Sequence, residues 1–199
     1  IVIFLVAEIV LKTRGDVSRK FVHIMVGNMI FAMPFFSDPW VMVWFLTLPI
    51  TIVLFFLTEY SPIKIDNSVT ESGHALGLFF YAEIWTLLIA IYSMLSPAND
   101  FKFFIWIVAL AIVPMVYGDG FAALIGQKFG KIKYKVFGGT KSIEGSLTMF
   151  VVTTVMSVFV WMVFVSIGCT MPEFNIVNII MISLVATLCE AFSYGGIDN

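Results

Sequence analysis

Apolar runs close to twenty residues long, separated by short clusters of charge, Pro and Gly, set the rhythm of this chain. A helix needs roughly 20 apolar residues to cross the hydrocarbon of a bilayer. Read against that length, the sequence predicts about seven spans: 1–11, 21–36, 40–58, 74–95, 103–127, 145–168 and 174–192. The opening IVIFLVAEIVLK has neither an initiator Met nor a small-residue cleavage site, so it reads as the back half of a span and not as a signal peptide. The closing Gly195-Gly196-Ile197-Asp198-Asn199 reads as a loop, and the chain is expected to be truncated at one or both ends. The expected fold class is all-α, a polytopic transmembrane helical bundle, with residues 1–199 forming one integral membrane domain.

Composition agrees with the pattern. Of the 199 residues 60% are hydrophobic, 12% are charged and 21 are Phe. A soluble domain of this size does not bury that much apolar surface, so the solvent is a lipid bilayer. Nucleic-acid binding is excluded, because it needs a basic soluble surface that this chain lacks. The net charge of −2 says little as a total, but its distribution is informative. The first, third and fifth connections carry four, one and five of the eleven Lys and Arg, and the other side holds Lys102 alone. By the positive-inside rule the stretches 12–20, 59–73, 128–144 and 193–199 face the cytoplasm. Cys169 and Cys189 fall near opposite ends of the last span, about 30 Å apart at 1.5 Å per helical residue, too far to pair. The two halves show no internal repeat of the kind many secondary transporters carry, which lowers a transporter reading.

An acid inside a hydrocarbon span costs about 2.5–3.5 kcal/mol on insertion scales, so Asp119 in Gly118-Asp119-Gly120 needs a partner or a task. Gly118, Ala122, Gly126 and Gly130 recur every four residues, a small-residue stripe whose plain meaning is close helix packing. Packing does not require an acid, and a carboxylate suits Mg²⁺, which accepts one or two carboxylates plus phosphate oxygens. Gly118-x-Gly120-x-x-Ala123 is no dinucleotide fingerprint, since no strand precedes it and its acid would repel a pyrophosphate. Gly126 is followed by Gln127, so no Walker loop is present either.

The fifth connection is chemically the richest. Lys128, Lys131, Lys133, Lys135 and Lys141 surround Gly138 and Gly139, and Lys141-Ser142-Ile143-Glu144-Gly145-Ser146 opens the next span. Glycine backbone and lysine charge suit phosphates, and a helix beginning near Ser142 adds its positive end. A positive-inside anchor with a capped helix start explains the first four lysines equally well. Arg19, His23 and Gly27 are spaced by four, with Lys20 beside them; Arg19 and Lys20 alone are ordinary snorkelling anchors. His23, one turn deeper, is either a packing residue or a phosphate or proton contact. Glu190 and Asp198 add two acids at the same membrane face. His74, Glu8, Glu59 and Glu83 are further ionisable groups near lipid depth; capping accounts for His74.

Taken in order, Arg19-Lys20-x-x-His23, Gly118-Asp119-Gly120-x-Ala122-Ala123-x-x-Gly126-x-x-x-Gly130-Lys131, Gly139-x-Lys141-Ser142-x-Glu144-Gly145-Ser146, and Glu190 with Asp198-Asn199 resemble the CTP-dependent polyprenol kinases, the dolichol and phytol kinases and their prokaryotic relatives. The resemblance runs from about residue 14 to the end. It implies transfer of the CTP γ-phosphate to a membrane isoprenoid alcohol with Mg²⁺. The residues implied for catalysis are Asp119, Lys141, Arg19, His23 and Asp198. For the nucleotide they are Gly118, Gly120, Gly138, Gly139, Lys141, Ser142 and Lys131, and for the metal Asp119, Asp198 and Glu144. The implied location is a multi-pass protein of the plasma membrane in a prokaryote, or of the endoplasmic reticulum or plastid envelope in a eukaryote. Part of the pattern, Asp-x-x-Ala-x-x-x-Gly-x-x-x-Gly followed by Lys-Ser-x-Glu-Gly, also resembles the phosphatidate cytidylyltransferases, which would join CTP to a lipid phosphate. Their C-terminal Lys-Asp and His-Gly-Gly block is absent here, and the Arg-Lys-x-x-His entry favours the kinases.

Overall fold

The computed structural model describes residues 15–36, 38–56, 58, 60–62, 75–95, 101–136 and 139–193. The predicted span 1–11, the residues Glu8, Glu59, His74, Gly138 and Asp198, and the side chain of Arg19 lie outside that description. Helix α1 runs Gly15–Gly27. Helix α2, Pro39–Phe56, starts where the Asp38 carboxylate accepts the Trp40 N–H at 2.8 Å and Pro39 takes the first helical position. Helix α3 is Ala75–Leu95. Helix α4, Phe101–Val113, passes through a π-helical segment, Pro114–Asp119, into α5, Gly120–Phe129. Strands β1, Lys133–Val136, and β2, Gly139–Ser142, precede α6, Ile143–Ser166, and α7, Ile176–Phe192.

Among the described residues, four helical stretches are long and apolar enough to cross a membrane: Pro39–Phe56, Gly77–Leu95, Ile105–Phe129 and Ile143–Ser166; His23–Phe35 and Ile176–Phe192 are apolar but shorter. Six of the predicted spans are therefore apolar helical segments, as a helical membrane protein requires. Span 21–36 departs from expectation beyond Gly27, where it continues as 3-10 turns, Asn28–Phe31 and Met33–Phe35. The Asn28 amide donates to the carbonyls of Ile24 (3.1 Å) and Met25 (3.4 Å), competing with the regular backbone ladder. The stretch 128–144, read as a loop, holds an antiparallel hairpin in the register Lys133↔Ser142, Tyr134↔Lys141, Lys135↔Thr140, Val136↔Gly139.

The chain divides into two compact units, Ile1–Ala32 with Ala109–Asp198, and Met33–Val108. In the second, α2 packs on α3, and Thr51 and Thr86 bring their hydroxyls 3.0 Å apart inside an otherwise apolar contact. In the first, α6 packs against both α5 and α7. Its buried face carries Gly145, Met149, Thr153, Ser157, Val160 and Phe164, while Leu147, Val151, Val155 and Met162 are exposed. Small and hydroxylic residues, Gly145, Thr153 and Ser157, are confined to the buried face while aliphatics cover the exposed one, as a lipid solvent favours. Lipid tails are as apolar as Leu, so close backbone approach is what holds helices together there. Helix α6 stops at Gly168, whose φ of +84° needs glycine; Gly168 N–H reaches Val165 O at 3.0 Å and Cys169 N–H reaches Phe164 O at 2.9 Å. Cys169 is buried and Cys189 exposed.

Candidate active site

Every described site residue belongs to the first unit, and two ion pairs organise them. The first grows from α1. Lys20, His23, Ile24 and Gly27 form a face that meets residues 115–120: Lys20 pairs with Asp119, His23 Nε2 lies 2.9 Å from the Met115 carbonyl oxygen, and a Cβ on Gly120 would stand 2.5 Å from Ile24. At the lower end Gly27 packs on Val116, with room for no side chain. Lys20, His23 and Asp119 are all buried, at 5%, 4% and 3% exposure. So Lys20 is no snorkelling anchor: its ammonium lies inside the protein, as the counter-ion a buried carboxylate demands. Asp119 closes the π-helical segment, a form that widens one turn and often marks functional sites.

The second pair is built by the hairpin. Ile132 binds α6 twice, its carbonyl accepting Ile143 N–H at 2.9 Å and its N–H donating to the Glu144 carboxylate at 3.2 and 3.3 Å. Tyr134 adds a hydroxyl contact to Ser146 at 2.6 Å. Clamped this way, β2 delivers Lys141 and Ser142 to the start of α6. Ser142 is the N-cap, its hydroxyl accepting Gly145 N–H at 3.1 Å. Lys141 reaches across to the end of α7, donating to Glu190 Oε1 at 2.6 Å, to Ser193 Oγ at 2.7 Å and to the Glu190 backbone carbonyl.

Beside this pair opens a cavity of about 460 Å³. Lys133, Thr140, Lys141 and Ser142 line it from the hairpin, Gly145 and Ser146 from α6, Ala122, Ala123, Gly126 and Gln127 from α5, and Glu190 from α7. Small residues make this space. A Cβ on Gly126 would stand 3.0 Å from Ser142 Oγ, and one on Gly145 would stand 3.2 Å from the Ala122 carbonyl. The cavity thus combines a helix N-terminus, two lysines and hydroxyls, the donor set that suits phosphate oxygens.

The structure gathers Lys141 and Ser142 at this cavity and sets other expected residues elsewhere. Gly118 packs against Met149 and Thr153 of α6, and Gly120 against α1, so both lie in helix contacts. Gly139 opens β2 opposite Val136, and Lys131 is exposed just before β1. Glu144 holds Ile132, and no three acids, His or Cys gather at metal-binding distance among the described residues. Asp119 is not a lining residue, but Ala123, one turn along, is. Four residues gain weight from the structure: Lys20, Glu190, Ser193 and Lys133. Lys20 was legible from its spacing of three to His23 and seven to Gly27, which places all three on one helix face. Ser193 had no sequence signal.

No known family model matches the sequence, and no solved structure matches it. Curated relatives do. A phytol kinase of Synechocystis is 30% identical over 195 residues, covering 93% of this chain and 74% of that protein. Phytol kinase 1, chloroplastic, of Arabidopsis thaliana is 28% identical over 190 residues, and a probable phytol kinase, chloroplastic, of Triticum aestivum is 26% identical over 192. The chain spans 59% and 60% of those two plant proteins and 89% of its own length is matched in each. The agreement with the Synechocystis protein extends over 93% of this chain, and with it the chain belongs to the phytol kinase family.

Proposed function

We propose that this protein is a membrane lipid-alcohol kinase that transfers the γ-phosphate of CTP to a long-chain isoprenoid alcohol of the phytol or polyprenol type. The observation that carries the reading is the cavity where Lys141, Ser142 and the start of α6 converge, in a chain whose relatives are named phytol kinases. Phosphoryl transfer is mostly positioning and charge neutralisation, which lysine, hydroxyl and helix-end donors supply. Lys141 and Ser142 hold nucleotide phosphates, and Lys133 adds charge at the rim. Arg19 steadies the transferring group from α1, while His23, buried against the Met115 carbonyl, holds α1 to residues 115–120. The alcohol's tail lies along exposed apolar helix faces, with its hydroxyl at the interface.

Mg²⁺ fits one described carboxylate best. Asp119 is buried and paired with Lys20, so the ion would have to share or displace that ammonium; Mg²⁺ takes most of its shell from phosphates and water, so a protein cage of three acids is not required. Asp119 would hold it, with Asp198 as a second ligand; Glu144 is committed to Ile132. The ion would neutralise charge on the phosphates. Asp119 or Asp198 takes the alcohol's proton. In support of a shared cytoplasmic face, Lys141 of the 128–144 stretch meets Glu190 and Ser193 at the close of α7.

The test is an in-membrane assay with γ-labelled and α-labelled CTP, offering a prenyl alcohol and phosphatidate. Label reaching the alcohol from the γ position alone is expected. Label from the α position, with pyrophosphate released, would make the protein a cytidylyltransferase and overturn the kinase reading.

A further inference from the structure

A lysine ammonium has three N–H donors, and Lys141 has three acceptors from the last turn of α7: the Glu190 carboxylate, the Glu190 carbonyl and the Ser193 hydroxyl. Its donors are therefore committed before any phosphate arrives. Glu190 lines the same cavity, so a negative group stands in the wall of a space otherwise furnished for anions. The two helix ends there have opposite character. The start of α6 offers N–H groups and the positive dipole end, whereas the close of α7 offers carbonyls and the negative end. Lys141 sits at the negative one.

We infer that Glu190 is an internal anion that competes with incoming phosphates for Lys141, so that Glu190 sets the affinity and the charge selectivity of the nucleotide site. The inference rests on the cavity being that site. Weakly charged anions do not displace a carboxylate that is covalently held nearby and already hydrogen-bonded. A triphosphate, with several negative oxygens, does. Filling the site then frees the end of α7, 49 residues along the chain from Lys141.

The experiment is calorimetric titration of CTP, CMP and inorganic tripolyphosphate into the full chain in detergent, for wild type, Glu190→Gln and Ser193→Ala. Glu190→Gln keeps the shape and removes the competing charge, so CTP and tripolyphosphate should bind about tenfold more tightly and CMP should gain measurable binding. Ser193→Ala removes one neutral acceptor and should tighten CTP about threefold. If wild type binds CTP but both variants bind it equally or more weakly, Glu190 and Ser193 merely position Lys141, and the inference fails while the nucleotide site stands. If neither wild type nor variants bind CTP or tripolyphosphate, the site reading falls and takes the inference with it. Should Glu190→Gln not fold, as gel filtration would reveal, the Ser193→Ala result decides.

Discussion

Removing either member of the Lys20–Asp119 pair should destabilise the protein far more than removing both. Each partner is at most 5% exposed, so a lone survivor is a charge with no water to solvate it. Breaking a buried pair from one side costs about 3–5 kcal/mol, whereas an apolar pair of similar volume is often neutral or better. For a chain of this length that cost lowers the melting temperature by about 6–20 °C. Lys20→Met and Asp119→Leu, separately and together, form the cycle, read by thermal unfolding in detergent micelles followed by tryptophan fluorescence. Each single variant should fall within that range, and the double should recover most of it, because the same helix contact already joins Ile24 to Gly120 and Val116 to Gly27, an apolar seam into which Met and Leu fit. Activity should behave differently. Asp119 is proposed to hold the metal or take the proton, so the double variant should be stable and inactive. Additive losses would refute the coupling of the pair, and an active double variant would remove Asp119 from the chemistry.

Two further outcomes follow from the same geometry. Lys141→Ala should raise KM for the nucleotide much more than Lys133→Ala, since the Lys141 side chain is half-buried in the cavity wall while Lys133 is exposed at the rim; equal effects in a steady-state assay would return both lysines to a membrane-anchor role. Gly130→Ala should loosen the junction between α5 and the hairpin, because its Cβ would stand 2.2 Å from the Gly126 carbonyl, a backbone atom that cannot swing aside. Crowding of that kind costs about 1–3 kcal/mol, visible as a lower melting temperature, and an unchanged one would show that the junction yields freely.

What could be read from the residues was what local chemistry compels. A bilayer demands about twenty apolar residues per crossing, so spans such as 74–95 and 145–168 were recognisable and their helices, Ala75–Leu95 and Ile143–Ser166, end within a few residues of the expected points. Ser142 as a helix start, and the packing role of Gly118 and Gly126, also came from short-range pattern: a cap lies three residues from the N–H it accepts, and small residues four apart share a face. The hairpin did not show itself, since β1, Lys133-Tyr134-Lys135-Val136, alternates for only four residues and β2, Gly139-Thr140-Lys141-Ser142, has no apolar side chain to alternate; what holds them is Ile132 against Ile143 and Glu144.

The partners of the charges belong to the tertiary structure alone. From the sequence, Asp119 had to have a partner, because an unpaired acid in lipid is too costly, but whether that partner was a metal, a lysine or a histidine depended on which helix came to lie beside it. It was Lys20, 99 positions away, brought there because Gly27 and Gly120 let α1 and the 115–120 segment approach closely. Likewise Lys141 was visible as a phosphate-suited cation, and its capture by Glu190 and Ser193 was not, since an ion pair has no sequence spacing of its own and arises wherever packing sets two charges within reach. Composition and periodicity therefore determined that this is a helical membrane protein with an ionic site near one end of its spans, while the meeting of α1, α5, α6 and α7 decided which charge answers which.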